Sequence, residues 1–352
     1  MNSVLREDIE KILNSEFPFN SLRNKKIIVT GATGFIGSLL IKTLLFCNKK
    51  YNLNLTIIAT TRNISNAENI FNEIKDEFLV FYKWDILKDC FCYEQNVDYV
   101  IHTAMITKSK EMIKKPVDII KTAFFGAQQL LDYSIAHHVK KFIYISSMEI
   151  YGDMGNYNGN ADEMRLGYIN LKSARSCYPE GKRICETLVN SYYFQYGLNV
   201  NNLRLAQTFG AGTLKGENRI FAQFAKSVIE KKDIILHTDG QSEGNYVYST
   251  DAIMAILIIL NTGISGETYN VSNMESHTTI KDMAEMISSE IAKNEIHVKF
   301  DIPDNNIYGY APKTKLYLDS NKLCNLGWKP EVGLMEAYNR YISYLKEEEY
   351  GE

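Results

Sequence analysis

The chain lacks any excess of charge of one sign. Its 39 basic and 42 acidic side chains are scattered and leave a net charge of −3, so no electrostatic footprint for nucleic acid or an anionic membrane surface stands out. A phosphate-bearing ligand must then be held by local groups. Paired cysteine spacings are also missing. Cys47, Cys90, Cys92, Cys177, Cys185 and Cys324 follow neither a zinc pattern nor a secretory leader, which predicts no metal site and a reducing, cytoplasmic compartment. Nor is there a run suited to crossing a membrane. The longest apolar stretch, 252–260, is about half a membrane span and reads as a buried helix.

What is present is ordinary for a globular chain. With 45% hydrophobic and 23% charged residues, 352 residues suffice for a substantial core in one large domain or two coupled ones. Residues 1–24 read as a helical arm, with Val4, Leu5, Ile9, Ile12 and Leu13 at helical spacing and Pro18 closing the pattern. From Lys25 onward, short β-branched runs alternate with helical segments. Strands are expected at 27–30, 55–61, 79–82, 99–101, 142–146 and 200–205, and helices at 34–46, 66–75, 117–137 and 180–196. That rhythm belongs to an α/β fold, a doubly wound parallel sheet of six or seven strands covered on both faces. Beyond Phe209 the pattern loosens into glycine-rich loops, a helix at 221–230 and short strands at 234–237 and 268–271. Residues 209–352 are therefore expected to form mainly a smaller substrate-binding lobe, with a segment near 246–262 returning to the sheet. No internal repeat appears.

The first strand runs into the first helix through Val29-Thr30-Gly31-Ala32-Thr33-Gly34-Phe35-Ile36-Gly37. Gly31 permits a tight turn, Gly34 lets the backbone approach a pyrophosphate, and Gly37 allows close packing of helix on sheet. An anion there meets free N–H groups and the positive end of a helix dipole. Its place after an early apolar strand, opening an amphipathic helix, separates this turn from an ordinary one. Gly31, Thr33, Gly34, Phe35, Ile36 and Gly37 are the expected cofactor-binding positions.

Two residues, not one, separate the first pair of glycines, and this spacing resembles the short-chain dehydrogenase/reductase superfamily. Trp84-Asp85-Ile86 is similar to the family's segment that meets the adenine edge, and His102-Thr103-Ala104 to its apolar cofactor-lining turn. The resemblance implies that 25–208 is a dinucleotide-binding Rossmann domain, with Asp85, Ile86, Thr103 and Ala104 at the cofactor. Taken alone, Asp85 is more often a turn cap. The second strand ends Ala59-Thr60-Thr61-Arg62, without the acidic residue that accepts ribose hydroxyls. Arg62 either pairs with a 2′-phosphate or is a solvated surface arginine. NAD(P) is the expected cofactor, with a lean to NADP.

The fifth strand enters Ser146-Ser147-Met148-Glu149-Ile150-Tyr151-Gly152, and a later segment reads Cys177-Tyr178-Pro179-Glu180-Gly181-Lys182-Arg183. A tyrosine and a lysine four apart at the start of a helix share a face. A phenol with its ordinary pKa near 10 is a poor base at neutral pH, so a neighbouring ammonium is needed to favour phenolate. Ser147, Tyr178 and Lys182 are thus the expected catalytic set. Ser147 orients the substrate oxygen, Tyr178 takes its proton, and Lys182 tunes the phenol and holds the nicotinamide ribose.

Here the chain resembles the extended branch of the superfamily that acts on nucleotide sugars: epimerases, 4,6-dehydratases and uronic-acid decarboxylases. The likeness runs through Leu318-Asp319-Ser320-Asn321-Lys322-Leu323 and Leu326-Gly327-Trp328-Lys329-Pro330. It implies removal of a hydride from C4, chemistry on the ketone, and usually its return. Glu149 then takes the proton of the neighbouring carbon. The dehydratases and decarboxylases carry a glutamate at this place, and simple 4-epimerases usually a small hydroxyl residue. Met148 departs from the aspartate of the deoxythymidine-diphosphate-glucose dehydratases, and it has no proton to donate.

Arg204-Leu205-Ala206-Gln207-Thr208-Phe209-Gly210 resembles the segment whose asparagine meets the substrate phosphates, with Gln207 in its place. The loop from Asp239 to Asp251 resembles the nucleotide-contacting loop, with Gly244 where an arginine is usual. Other cations, Arg219 or Lys313, then have to meet the diphosphate, because a buried unpaired diphosphate is prohibitive. The expected activity is that of a nucleotide-sugar 4,6-dehydratase or epimerase. An NADPH-consuming ketosugar reductase, a uronic-acid decarboxylase and a non-catalytic dinucleotide sensor stand as alternatives. The two long helices carry apolar residues on more than one face, and the resemblance implies a homodimer built on them.

Overall fold

The structure is a computed structural model that describes residues 1–74, 76–157, 159–303 and 313–350. Lys75, the expected end of one helix, lies outside the described residues. The N-terminal arm is helix α1 (Ser3–Leu13), started by Asn2, whose side chain accepts from the amides of Val4 and Leu5. Then follow β1 (Lys26–Thr30), α2 (Phe35–Tyr51), β2 (Thr56–Thr61), α3 (Ile64–Phe71), β3 (Leu79–Lys83), β4 (Tyr99–His102), α4 (Ser109–Lys114), α5 (Pro116–Ala136), β5 (Lys141–Ser147), α6 (Cys177–Tyr196) and β6 (Val200–Leu205). The rest holds β7 (Gln207–Phe209), α7 (Ile220–Glu230), β8 (Ile234–Leu236), β9 (Glu243–Tyr248), α8 (Ser249–Thr262), β10 (Thr268–Val271), β11 (Asn273–Thr279), α9 (Ile280–Met286), β12 (Val298–Phe300), α10 (Asn321–Cys324) and α11 (Leu334–Leu345).

Seven strands pair in the order β10-β6-β5-β4-β1-β2-β3, all parallel. Successive side chains of a strand point to opposite faces. Ile27 and Val29 accordingly enter the core beneath α2 and α8, while Ile28 enters the core beneath α5 and α6. Both faces being covered explains why these strands read as continuous apolar runs instead of alternating ones. The strand order reverses between β1 and β4, and ligands of such sheets bind in the crevice beyond the carboxyl ends at that point.

Residues 268–271, expected among the short strands of the small lobe, are instead β10, the outermost strand of the main sheet beside β6. Tyr269 and Val271 are buried in the main core, a placement that four residues of pattern do not reveal. Helix α8 lies against β5 and β6. A smaller sheet, β11-β9-β7, and the pair β12-β8 build the remainder.

Helix α6 begins earlier than expected, at Cys177. Pro179 falls in its first turn, where a missing amide hydrogen sacrifices no intrahelical bond, so the helix extends back past it. Tyr178 is thereby fixed inside the helix. The arm, for its part, is integrated into the fold: α1 packs against α2, α8 and α11, burying Val4, Leu5, Ile9, Ile12 and Leu13. Each such side chain contributes about 1.5–3 kcal/mol. Among its polar links the most buried is Asp8, whose carboxylate accepts from the Tyr248 hydroxyl at 2.7 Å and from Arg340 Nε at 2.8 Å.

Candidate active site

The glycine turn sits at the carboxyl end of β1, next to the turn that follows β4. Gly31 has φ +64°, and a Cβ there would stand 2.9 Å from Ala104 Cα and from Thr103 Oγ1. At Gly37 a Cβ would come within 2.3 Å of the Gly31 carbonyl oxygen. Both positions therefore demand glycine. Gly34 is the N-cap of α2 and leaves its first turn without a side-chain cap. The uncapped amides and the helix dipole make a seat for an anion, and the residues present fit the pyrophosphate of a dinucleotide.

Thr30 braces the seat. Its hydroxyl accepts from the amides of Thr103 and Ala104 at 3.1 Å each and lies 2.7 Å from His102 Nδ1. Thr103 Oγ1 donates to the Thr30 carbonyl at 2.6 Å. Burial pushes His102 down to about 3, the nearby Lys182 charge adding to the effect, so the ring is neutral. Asp85 follows β3 and accepts from the Leu87 amide at 3.2 Å, with Lys88 3.6 Å away, so its carboxylate serves its own turn. Ile86 lies near Gly126 of α5. Arg62, just past β2, is exposed and has no ion pair among the described residues.

Strand β5 and helix α6 bring the expected catalytic residues together. Ser147 ends β5, and its hydroxyl accepts from the Glu149 amide at 3.2 Å. Tyr178 is buried, and burial pushes its phenol up to about 12; the Glu149 charge adds to the rise, while a hydrogen bond with Ser147 and the charges of Arg219 and Arg175 oppose it. Lys182, 3% exposed, donates to the Ile145 carbonyl at 2.6 Å and lies 6.0 Å from the Tyr178 ring centre. Burial pushes its ammonium down to about 8, against the pull of Cys185 and Glu186. Near neutral pH the protein groups alone thus hold a protonated phenol beside an ammonium. A phenol, a hydroxyl and an ammonium in this arrangement have the chemistry to exchange a proton with a carbinol oxygen.

Glu149 is not a free carboxylate. Arg175 Nη1 donates to its Oε2 at 2.7 Å and Nη2 to its Oε1 at 2.9 Å, a two-pronged pair. Sequence reasoning passed over Arg175, although it precedes Tyr178 by three residues. Opposite, a Cβ on Gly244 would stand 3.7 Å from the Met148 methyl group, so the start of β9, within the segment expected to contact nucleotide, lies against the turn after Ser147.

The three expected substrate residues are differently disposed. Arg219, the N-cap of α7, is paired with Glu217 at 2.7 Å and lies close enough for its charge to act on Tyr178. Gln207, half-buried on β7, is in register with Tyr246 of β9. Lys313 is exposed and pairs with Asp239 at 3.4 Å, on the outer loop. Among the described residues no group of three or more acidic, histidine or cysteine side chains could hold a metal ion, and no helix is long and apolar enough to cross a membrane.

A family model described as the NAD dependent epimerase/dehydratase family matches residues 27–272, from β1 to just past β10. The chain belongs to this family. As an epimerase/dehydratase-family protein it is an NAD(P)-dependent enzyme of the extended short-chain dehydrogenase/reductase type. It is 26% identical to UDP-glucuronic acid decarboxylase 1 of Danio rerio over 325 residues, 92% of this chain and 73% of that one. It is also 26% identical to dTDP-D-glucose 4,6-dehydratase of Bos taurus over 334 residues, 92% of this chain and 89% of that one. Among solved structures, UDP-glucuronic acid 4-epimerase from Bacillus cereus, in complex with UDP-glucuronic acid and NAD, has the same fold. Its TM-score is 0.74 at 24% identity, with 92% of this chain and 99% of that one covered.

Proposed function

We propose that this family member binds a nucleotide-diphosphate sugar, oxidises it transiently at C4, and acts on the ketone as a 4,6-dehydratase or epimerase before the hydride returns. One observation carries the reading: Ser147, Tyr178 and Lys182 lie together at the carboxyl end of β5, with Glu149 close enough for its charge to act on the phenol, and only β4 separates that strand from β1, which carries the glycine turn. Tyr178 exchanges the proton of the C4 hydroxyl, Ser147 hydrogen-bonds the same oxygen, and Glu149 takes the proton of the neighbouring carbon. NAD(P), held by the amides around Gly31, Gly34 and Gly37, supplies the hydride acceptor. Arg219 is the proposed cation for the diphosphate, with Gln207 beside it and Lys313 at the outer edge.

One observation favours a second reading, uronic-acid decarboxylation. Loss of water requires a proton for the departing hydroxyl, yet Glu149 is held by Arg175 and Met148 has none to give. Loss of carbon dioxide needs no such proton. Incubating the purified protein with UDP-glucose, dTDP-glucose and UDP-glucuronic acid and weighing the products distinguishes the readings by loss of water, loss of carbon dioxide or no change of mass. Turnover only when NADPH is added would replace both with a net reductase.

The absence of an acidic side chain at the end of β2, together with exposed Arg62, supports NADP as the bound form. The mass of dinucleotide retained through purification tests this. Val117 and Ile120 on α5 and Ile184 on α6 are exposed, which supports a homodimer through this helix pair. Light scattering showing a monomer at micromolar concentration would remove that proposal. The free cysteines support a cytoplasmic setting.

A further inference from the structure

A carboxylate beside a phenol that must ionise is an electrostatic obstacle, because like charges disfavour each other. This site contains that obstacle, and also a group placed to reduce it. Arg175 lies in the short turn that leads directly into α6, so one stretch of backbone sets both the guanidinium and Tyr178. Its two terminal nitrogens meet the two oxygens of Glu149, a planar fork that allows the carboxylate a single orientation. Both partners are partly shielded, at 30% and 25% exposure, so solvent screens the pair only in part.

We propose that Arg175 is a positioning residue: it fixes the Glu149 carboxylate in one orientation and offsets, at Tyr178, part of the charge that this carboxylate carries. The inference rests on the reading of Tyr178 as the proton-transfer group. The other groups facing the phenol have different duties. Ser147 and neutral Tyr144 approach from β5, Lys182 and Cys177 from α6, and Arg219 from the head of α7, whereas α4 and α5 present Met112 and Ile119. Arg219 is tied to Glu217 and Lys182 to Ile145, so neither is available to Glu149 as arranged. Glu149 raises the phenol and Arg175 lowers it, the signs expected of a carboxylate and its masking cation.

The test needs no substrate. With 3,5-difluorotyrosine installed at position 178, the fluorine signal reports the ionisation of that phenol alone, at a milder pH than tyrosine itself. Arg175→Met should raise its titration midpoint by about one pH unit and Glu149→Gln should lower it. The double variant should fall below Arg175→Met and somewhat below the parent, since the charge of Glu149 acts on the phenol more strongly than that of Arg175. Arg175→Lys, which keeps the charge without the fork, should titrate like the parent and guards against a folding artefact. An unchanged midpoint in Arg175→Met, or a double variant shifted as far as Arg175→Met alone, would overturn the proposal. A protein that turns over no nucleotide sugar would defeat the functional reading while leaving these midpoints to decide this one.

Discussion

The Lys182 ammonium of α6 donates to the carbonyl of Ile145, two residues before Ser147 on β5, at 2.6 Å. The cation proposed to serve the phenol is thereby hooked to the strand that carries the serine. It also lies 4.7 Å from the centre of the Tyr144 ring, which offers it a π face in place of water.

Lys182 should make stability depend on pH. Its pKa in the fold is about 8 against an ordinary 10.5, so below pH 8 the fold carries the full cost of a buried ammonium, roughly 3 kcal/mol. That cost declines as pH rises from 8 and is gone above 10.5. The melting temperature of Lys182→Met, relative to wild type, should therefore be most favourable at pH 6–7 and fall as pH rises toward 10. A difference independent of pH would refute the buried cation.

Tyr178→Phe removes one hydroxyl and leaves the glycine turn untouched. Turnover should fall by about 10²–10⁴-fold or more, with dinucleotide retention unchanged by mass spectrometry and absorbance. Undiminished turnover would show that another group moves the proton.

Gly37→Ala should fail twice. The added methyl would lie 2.3 Å from the Gly31 carbonyl, so the turn must shift, costing about 1–3 kcal/mol and displacing the amides that hold the dinucleotide. Gly333→Ala is the matched control. Nothing lies within 4 Å of its added carbon and its φ is −71°, so its melting temperature and cofactor content should match wild type.

Asp8→Ala tests the arm. The Tyr248 hydroxyl loses its 2.7 Å acceptor and Arg340 its buried partner, keeping only the exposed Glu7 at 3.2 Å, for a loss of about 2–4 kcal/mol in urea unfolding. Because Tyr248 lies next to α8 and its hydroxyl reaches the Ala211 amide, the loss should appear in the whole transition, not in a separate early phase. An unaltered midpoint would make α1 a dispensable appendage.

The sheet and the cofactor turn were legible because their signals are local. Apolar runs buried on both faces mark the strands, and three glycines at one junction carry their own steric logic in Gly31 and Gly37. The order of Ser147, Tyr178 and Lys182 was legible for the same reason, since strand end and helix face follow from spacing. Other features gave weaker signals. Four residues of pattern could not assign β10 to a sheet, and the helix expected over 180–196 in fact begins at Cys177, with Pro179 in its first turn. Arg175 stood in plain view, but nothing in its neighbours named an acceptor.

By itself, then, the order of residues determined the strand-turn-helix shaped for a dinucleotide and brought forward the three groups proposed to move a proton and orient an oxygen. Only the tertiary structure decided that Arg175 grips Glu149, that Asp8 locks the arm to Tyr248 and Arg340, and that Gly244 lies against Met148. The physical reason is range. Backbone geometry and helix dipoles act between near neighbours, whereas which charge meets which across the fold depends on how every intervening element packs.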